Sequence, residues 1–307
     1  MGCTLFFNLH FIQKPMTTTA WIFPGQGSQK VGMLADLATD GPTQGRLAEA
    51  EQILGWSVVD ACEDAAKLAD TRYTQPCLYA IAALLADRLR ATTTPNFVAG
   101  HSVGEYVALY AAGVFDFATG LQLVKQRSEL MAQAAGGKMI ALMGFDRAAV
   151  EEAIAATPDV VLANDNSEGQ IVIAGTPTAT EAIVAAVPCK RAIPLAVAGA
   201  FHSPFMADAD AQYRPLLEAV TFQTAQIPVF SNVEPTPAID GAVLKERLLA
   251  QMVGSVRWRE IMANMAAQGV ERVIEIGPGN VLTGLFKRSH GEIKRENVGA
   301  IAQIPTP

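Results

Sequence analysis

The sequence predicts an α/β protein: a mainly parallel sheet covered by helices on both faces, with a smaller unit inserted into it. Three observations lead there. Short β-prone runs alternate with longer stretches of helical spacing along most of the chain, as a parallel sheet requires when its crossovers are helices. One such run, Asn96-Phe97-Val98-Ala99, passes straight into Gly100-His101-Ser102-Val103-Gly104 and then into an apolar helix from Val107 to Ala112. From 137 to 200 the rhythm tightens into β-α-β-β-α-β, the split order of a ferredoxin-like unit. The 307 residues are 50% hydrophobic, enough for a sizeable core.

In chain order, residues 1–15 stand apart. Leu5 to Ile12 is apolar but far too short to span a bilayer. No basic stretch precedes it and no small-residue cleavage site follows, and Met16 reads as a second start. The segment is treated as an upstream extension or cloning artefact. Ala20 to Phe23 is the first strand, and Pro24 to Gln29 a glycine-rich loop leading into a helix at Met33-Leu34. That loop lacks the lysine and spacing of a P-loop; its N–H groups suit a phosphate or an oxyanion, or it is a plain turn. Residues 42–92 read mostly as helix, including a strongly apolar one that starts at Gln75-Pro76-Cys77 and runs through Leu89. Asp60, Glu63 and Asp64 read as a solvated helix face.

Asp116 opens another helix, which carries Gln126-Arg127-Ser128. After a hinge at Gly136-Gly137 the small unit has strands at 139–144, 160–163, 170–174 and 190–197 and helices at 147–156 and 178–186. The larger part then resumes with His202 in a loop before a helix at 205–218, a strand at 227–233 and a helix at 242–252 that ends on Gln251-Met252. A further helix near Trp258, a strand at 272–276, the Gly277-Pro278-Gly279-Asn280 turn and a last helix complete it. The division expected is a large hydrolase-like domain from 16–136 and 201–307, and a small ferredoxin-like one from 137–200.

Charge and cysteine usage exclude whole classes. The net charge is −7 with 17% charged residues, which argues against nucleic-acid or membrane-surface binding. Cys3, Cys62, Cys77 and Cys189 are scattered, with no C-x-x-C pair and no histidine at ligand spacing. They read as reduced thiols of a cytoplasmic protein, neither disulfide frame nor metal site.

The chemistry centres on Ser102. A G-x-S-x-G between strand and helix places the serine on a strained turn with its hydroxyl projecting. A serine hydroxyl needs a base, usually histidine. His10 falls in the extension, His290 in a polar segment, and His101 sits beside Ser102 where its ring does not easily reach back, which leaves His202. Asp208 and Asp210 are too solvated to be the third group, so a backbone or amide carbonyl is the alternative holder of the imidazole. Arg127 lies among apolar neighbours and needs a counter-charge: either Glu129 or another carboxylate of the chain, or a substrate carboxylate.

Six motifs in order give the chain a family likeness. Phe-Pro-Gly-Gln-Gly-Ser-Gln at 23–29, Gly-His-Ser-Val-Gly-Glu-Tyr at 100–106 and Gln-Arg-Ser-Glu-Leu-Met at 126–131 are followed by Gly-Gln-Ile-Val-Ile-Ala-Gly at 169–175, Ala-Phe-His-Ser at 200–203 and Glu-Ile-Gly-Pro-Gly-Asn-Val-Leu-Thr-Gly-Leu at 275–285. From about Thr19 to Ile301 the chain resembles the malonyl-CoA:acyl-carrier-protein transacylases of fatty-acid and polyketide synthesis. The resemblance implies a cytoplasmic, monomeric acyltransferase that moves malonyl from coenzyme A to the phosphopantetheine thiol of acyl carrier protein, ping-pong, with no cofactor and no metal. It implies Ser102 as nucleophile, His202 as base and the Gln251 carbonyl as the group orienting the imidazole. The amides of Gln26 and Val103 become the oxyanion hole, and Arg127 the partner of the malonyl carboxylate. Asn164, Asn166, Gln170, Arg191 and His101 are implied at the coenzyme A and carrier cleft. Lys190-Arg191 and Lys287-Arg288 are candidates for docking an acidic carrier. Two departures stand out: Val103 where the family more often has leucine, and Glu168 where a proline is usual, which adds negative charge near the cleft. A thioesterase or lipase-like hydrolase with the same elbow, and an inactive carrier-binding scaffold, are the competing readings.

Overall fold

The computed structural model describes residues 17–134 and 136–305; the extension 1–15, with Cys3 and His10, lies outside them. Among the described residues the strands are, in chain order, β1 Thr19–Phe23, β2 Phe97–Gly100, β3 Lys138–Phe145, β4 Val160–Ser167, β5 Gln170–Gly175, β6 Cys189–Pro194, β7 Val229–Phe230, β8 Pro237–Ala238, β9 Arg272–Ile276 and β10 Lys294–Val298. They form a six-stranded sheet, β10-β9-β1-β2-β7-β8, and a four-stranded sheet, β4-β5-β3-β6.

The large sheet is parallel except at the β7–β8 edge. Every residue of β1 is buried, because both faces of a parallel strand are covered. Alternation sends Trp21 and Phe23 into the layer that holds the helices Thr71–Arg90 and Gly104–Ala111. Ala20 and Ile22 face the opposite layer, against Trp258 and Phe286 of the helices Trp258–Ala267 and Val281–Ser289. β1 has β2 on one side and β9 on the other, so the chain departs in both directions from it. The crevice beyond the carboxyl ends of such strands is where open α/β sheets bind ligands.

The small sheet is antiparallel throughout. Its helices Arg147–Ala156 and Pro177–Ala186 cover one face with a core of Ile140, Leu142, Ile171, Ile173 and Ile183. β4 reaches back to the large part: Asp165 N–H donates to the Val256 carbonyl at 2.9 Å and Val256 N–H to Ala163 at 2.8 Å. The Asp165 carboxylate is held at 2.9 Å by both Arg147 and Arg259.

Several expected elements shift. The helix expected at Met33-Leu34 is a run of turns ending in a 3-10 helix Leu37–Thr39, with Gly32 in the left-handed region, and the first α-helix is Gly41–Leu54. The apolar helix starts at Thr71, where the Asp70 carboxylate accepts from Arg72 N–H at 2.9 Å, so Pro76 lies inside it. The proline costs the bond to the Arg72 carbonyl; that oxygen lies 3.4 Å from Ser128 Oγ, whose shorter bond, at 2.8 Å, goes to Lys125. The strand expected at 227–233 pairs only over Val229–Phe230. The helix expected to end at Gln251-Met252 stops at Leu249, leaving Gln251 in the following turn. β8 and β10 were not foreseen: both are edge strands, and β10 is Lys-Arg-Glu-Asn-Val, too polar for a strand signal. No described helix is long and apolar enough to cross a membrane.

Candidate active site beyond β1 and β2

The elbow is shaped by what cannot fit. A Cβ on Gly100 would overlap the carbonyl of Gly104, and one on Gly104 would overlap the Phe23 carbonyl at the end of β1. Strand, turn and helix therefore close tightly enough to force Ser102 to φ 53°, a left-handed conformation that a non-glycine residue adopts at a cost. The turn is pinned from behind by Asn232, just past β7. Asn232 Oδ1 accepts from Ser102 N–H at 2.7 Å, and its Nδ2 donates to the Gly100 carbonyl at 2.6 Å.

Ser102 Oγ lies 2.7 Å from His202 Nε2. His202 is buried and also left-handed, at φ 56°. Its Nδ1 meets the backbone carbonyl of Gln251 at 3.0 Å. A carbonyl only accepts, so Nδ1 carries the hydrogen and Nε2 keeps its lone pair toward the serine. Burial, then the charge of nearby Arg127, pushes the imidazole pKa down to about 3. His202 is therefore neutral at neutral pH.

Arg127, on the helix Phe117–Gln133, is wholly buried. Its Nη1 donates to Gln75 Oε1 at 2.5 Å, and its Nη2 to Gln251 Oε1 at 3.0 Å and to Ser102 Oγ at 3.2 Å. The guanidinium lies 5.6 Å from the centre of the Tyr106 ring. Among the described residues no carboxylate lies within ion-pair distance, Glu129 included. The guanidinium is thus held by neutral amide oxygens beside the serine.

The backbone N–H groups of Gln26 and Val103 have no acceptor among the described residues, while the Gln26 side chain is tied to Thr71 at 3.1 Å. Ser102, His202, Gln26, His101, Asn164, Asn166 and Gln170 line one cleft of about 270 Å³ between the two sheets. His101 bonds to Asn166 at 2.8 Å and leans on the Trp258 ring; its enclosure lowers its pKa. Gln170 accepts from Arg288 at 3.1 Å. Arg191 is not part of that lining: it is exposed on β6, opposite Met143. Glu168 is exposed and held by Arg147 at 3.2 Å and Arg259 at 3.1 Å, which offsets the charge it adds. Among the described residues no three His, Cys, Asp or Glu side chains gather as a metal-ligand set.

Gln75, Asn232 and Glu105 stand at the site without a role assigned from the sequence. An amide side chain on an apolar helix or after a short strand carries no pattern of its own. Only the helical spacing that puts Gln75 on the face of its helix toward Arg127 hints at it.

Residues 20–305 match the acyl transferase domain. Fold and family define the chain as an acyltransferase. The malonyl CoA-acyl carrier protein transacylase of Synechocystis sp. is 55% identical over 288 residues, 93% of this chain and 98% of the relative. A crystal structure of the Synechocystis enzyme superposes with a TM-score of 0.92 at 54% identity, covering 94% of this chain and 99% of that one. The chain belongs to the malonyl CoA-acyl carrier protein transacylase family. The Escherichia coli member is 40% identical over 287 residues, 89% of this chain and 93% of the relative. A malonyl-transacylase solved in complex with a type II polyketide synthase acyl-carrier protein has a TM-score of 0.88 at 37% identity, covering 94% of this chain and 98% of that one.

Proposed function

We propose that the enzyme takes malonyl from coenzyme A onto Ser102 and passes it to the phosphopantetheine thiol of acyl carrier protein, in two half-reactions with a malonyl-serine between them. The observation that carries this reading is Arg127: a buried guanidinium 3.2 Å from Ser102 Oγ, held by amide oxygens and with no carboxylate partner among the described residues. A malonyl group supplies the carboxylate, and a bidentate pair there orients the thioester carbonyl toward the hydroxyl. An acetyl group leaves the guanidinium unpaired, which is the basis of selection.

In the first half-reaction Ser102 Oγ attacks the thioester carbon as His202 Nε2 takes its proton. The carbonyl oxygen becomes an oxyanion facing the Gln26 and Val103 N–H groups. Collapse breaks the C–S bond, and the coenzyme A thiolate takes the proton from His202. The second half-reaction repeats these steps with the carrier thiol as nucleophile and Ser102 as leaving group. The Gln251 carbonyl keeps the imidazole in the required tautomer throughout. In this reading 16–136 with 201–307 supply the relay and 137–200 the opposing wall, with Asn164, Asn166, Gln170 and His101 along the pantetheine path. A cleft closed on two sides keeps water from the acyl-serine, favouring transfer over hydrolysis.

The test is mass spectrometry of the protein mixed with malonyl-CoA. A malonyl increment on the peptide containing Ser102 is expected, absent in Ser102→Ala and discharged on adding acyl carrier protein. Labelling that persists in Ser102→Ala would end the reading.

A further inference from the structure

Glu105 lies on the first turn of the helix behind the elbow, 1% exposed, and nothing in the mechanism above uses it. Its Oε2 accepts from Gln251 Nε2 at 2.7 Å and from Asn232 N–H at 3.2 Å. These two residues hold the rest of the site between them. Gln251 Nε2 also donates to the Ser102 carbonyl at 2.9 Å, while its Oε1 accepts from Arg127. Asn232 holds the Ser102 N–H.

A glutamine amide has two ends of similar shape and opposite polarity. Turned the other way, Gln251 would aim its NH₂ at Arg127, donor against donor. Two acceptors, Glu105 and the Ser102 carbonyl, hold it in the useful sense. Glu105 also places a carboxyl one amide away from the guanidinium. Burial pushes this carboxyl up to about 7, opposed by the bonds from Gln251 and Asn232 and by the Arg127 charge.

We propose that Glu105 is a positioning residue for acyl selection: its Oε2 fixes the sense of the Gln251 amide, which keeps Arg127 aimed at the substrate carboxylate. This rests on the reading of Arg127 given above. The experiment compares kcat/KM for malonyl and acetyl transfer to holo acyl carrier protein, with thermal unfolding as the check on folding, for Glu105→Ala, Glu105→Asp, Glu105→Gln and Arg127→Ala. Glu105→Ala removes the acceptor and Glu105→Asp withdraws it by one methylene. Each is expected to lower the malonyl-to-acetyl ratio by about tenfold, as loss of a buried acceptor should. Glu105→Gln keeps an acceptor oxygen and should hold the ratio within about threefold of the parent. Adding Glu105→Ala to Arg127→Ala should lower the ratio no further.

A ratio unchanged in Glu105→Asp and Glu105→Ala overturns the proposal, as does Glu105→Gln falling as far as they do. If Glu105→Ala does not fold, the Asp and Gln variants decide alone. Arg127→Ala separates the two claims. An unchanged ratio there removes the carboxylate reading itself, whereas a collapsed ratio there with none in the Glu105 variants removes only the inference about Glu105.

Discussion

At the scale of single residues, the site works by how groups are held more than by which groups are present. His202 is a weak base in the free enzyme, its pKa pushed down to about 3 by burial and by the Arg127 charge. In the mechanism proposed above the base must be neutral to act, so activity is expected above its pKa and is lost as the pH falls through it. Under the proposed pairing of a malonyl carboxylate with Arg127, the second of these influences is cancelled and the imidazole becomes more basic. The acid limb of kcat, which reports the bound complex, is therefore expected at higher pH than the acid limb of kcat/KM, which reports the free enzyme. With an acetyl donor the two limbs should coincide. A single limb near the ordinary histidine value for both donors would contradict this account. The sequence singles out Ser102 by its strand-turn-helix context and His202 by elimination, and the structure brings the two within 2.7 Å. Gln251 enters the sequence reading only through the family resemblance, because its contact with the ring is made by a backbone carbonyl, which leaves no mark in residue types. The ambiguity over Arg127 could be weighed only once the distances to Glu129, Gln75 and Gln251 were known.

At the scale of elements, close approach decides where change is tolerated. Gly100 ends β2 against the Gly104 carbonyl. Gly100→Ala is expected to cost about 3 kcal/mol or more in urea unfolding and to abolish transfer, since the elbow must open to admit the methyl. Gly45, inside the helix Gly41–Leu54, has nothing within 4 Å of an added Cβ. Gly45→Ala is expected to stabilise by about 0.5–1 kcal/mol and leave transfer unchanged. If both substitutions had similar effects, the steric reading of the elbow would be wrong. The helices Thr71–Arg90 and Phe117–Gln133 show a related economy: Gln75 and Arg127 are each followed by the residue, Pro76 or Ser128, that lies at the Arg72 carbonyl. Elements with strong apolar patterning, such as β1, β9 and the helix at 147–156, were readable to within a residue or two. The polar edge strand β10 and the turn-rich 31–36 segment were not, because neighbours in space, absent from local sequence, stabilise them.

At the scale of the whole molecule, the two sheets meet through β4, the segment around Val256 and the Asp165 carboxylate between Arg147 and Arg259. Asp165 is almost fully enclosed, while Arg147 and Arg259 are partly exposed and keep Glu168 as a partner. Asp165→Ala is expected to cost about 1–2 kcal/mol in unfolding free energy, measured by denaturant titration. A loss under about 0.5 kcal/mol would mean the contact is an ordinary surface pair. The β-α-β-β-α-β succession of the small unit was readable and the join was not, since the bonds between Ala163, Asp165 and Val256 link positions ninety-odd residues apart through the backbone alone. The turn that holds the His202 ring runs, within a few residues, into the segment stitched to β4. The two walls of the cleft therefore share one anchor, and whatever loosens that seam reaches the histidine's holder within a few residues.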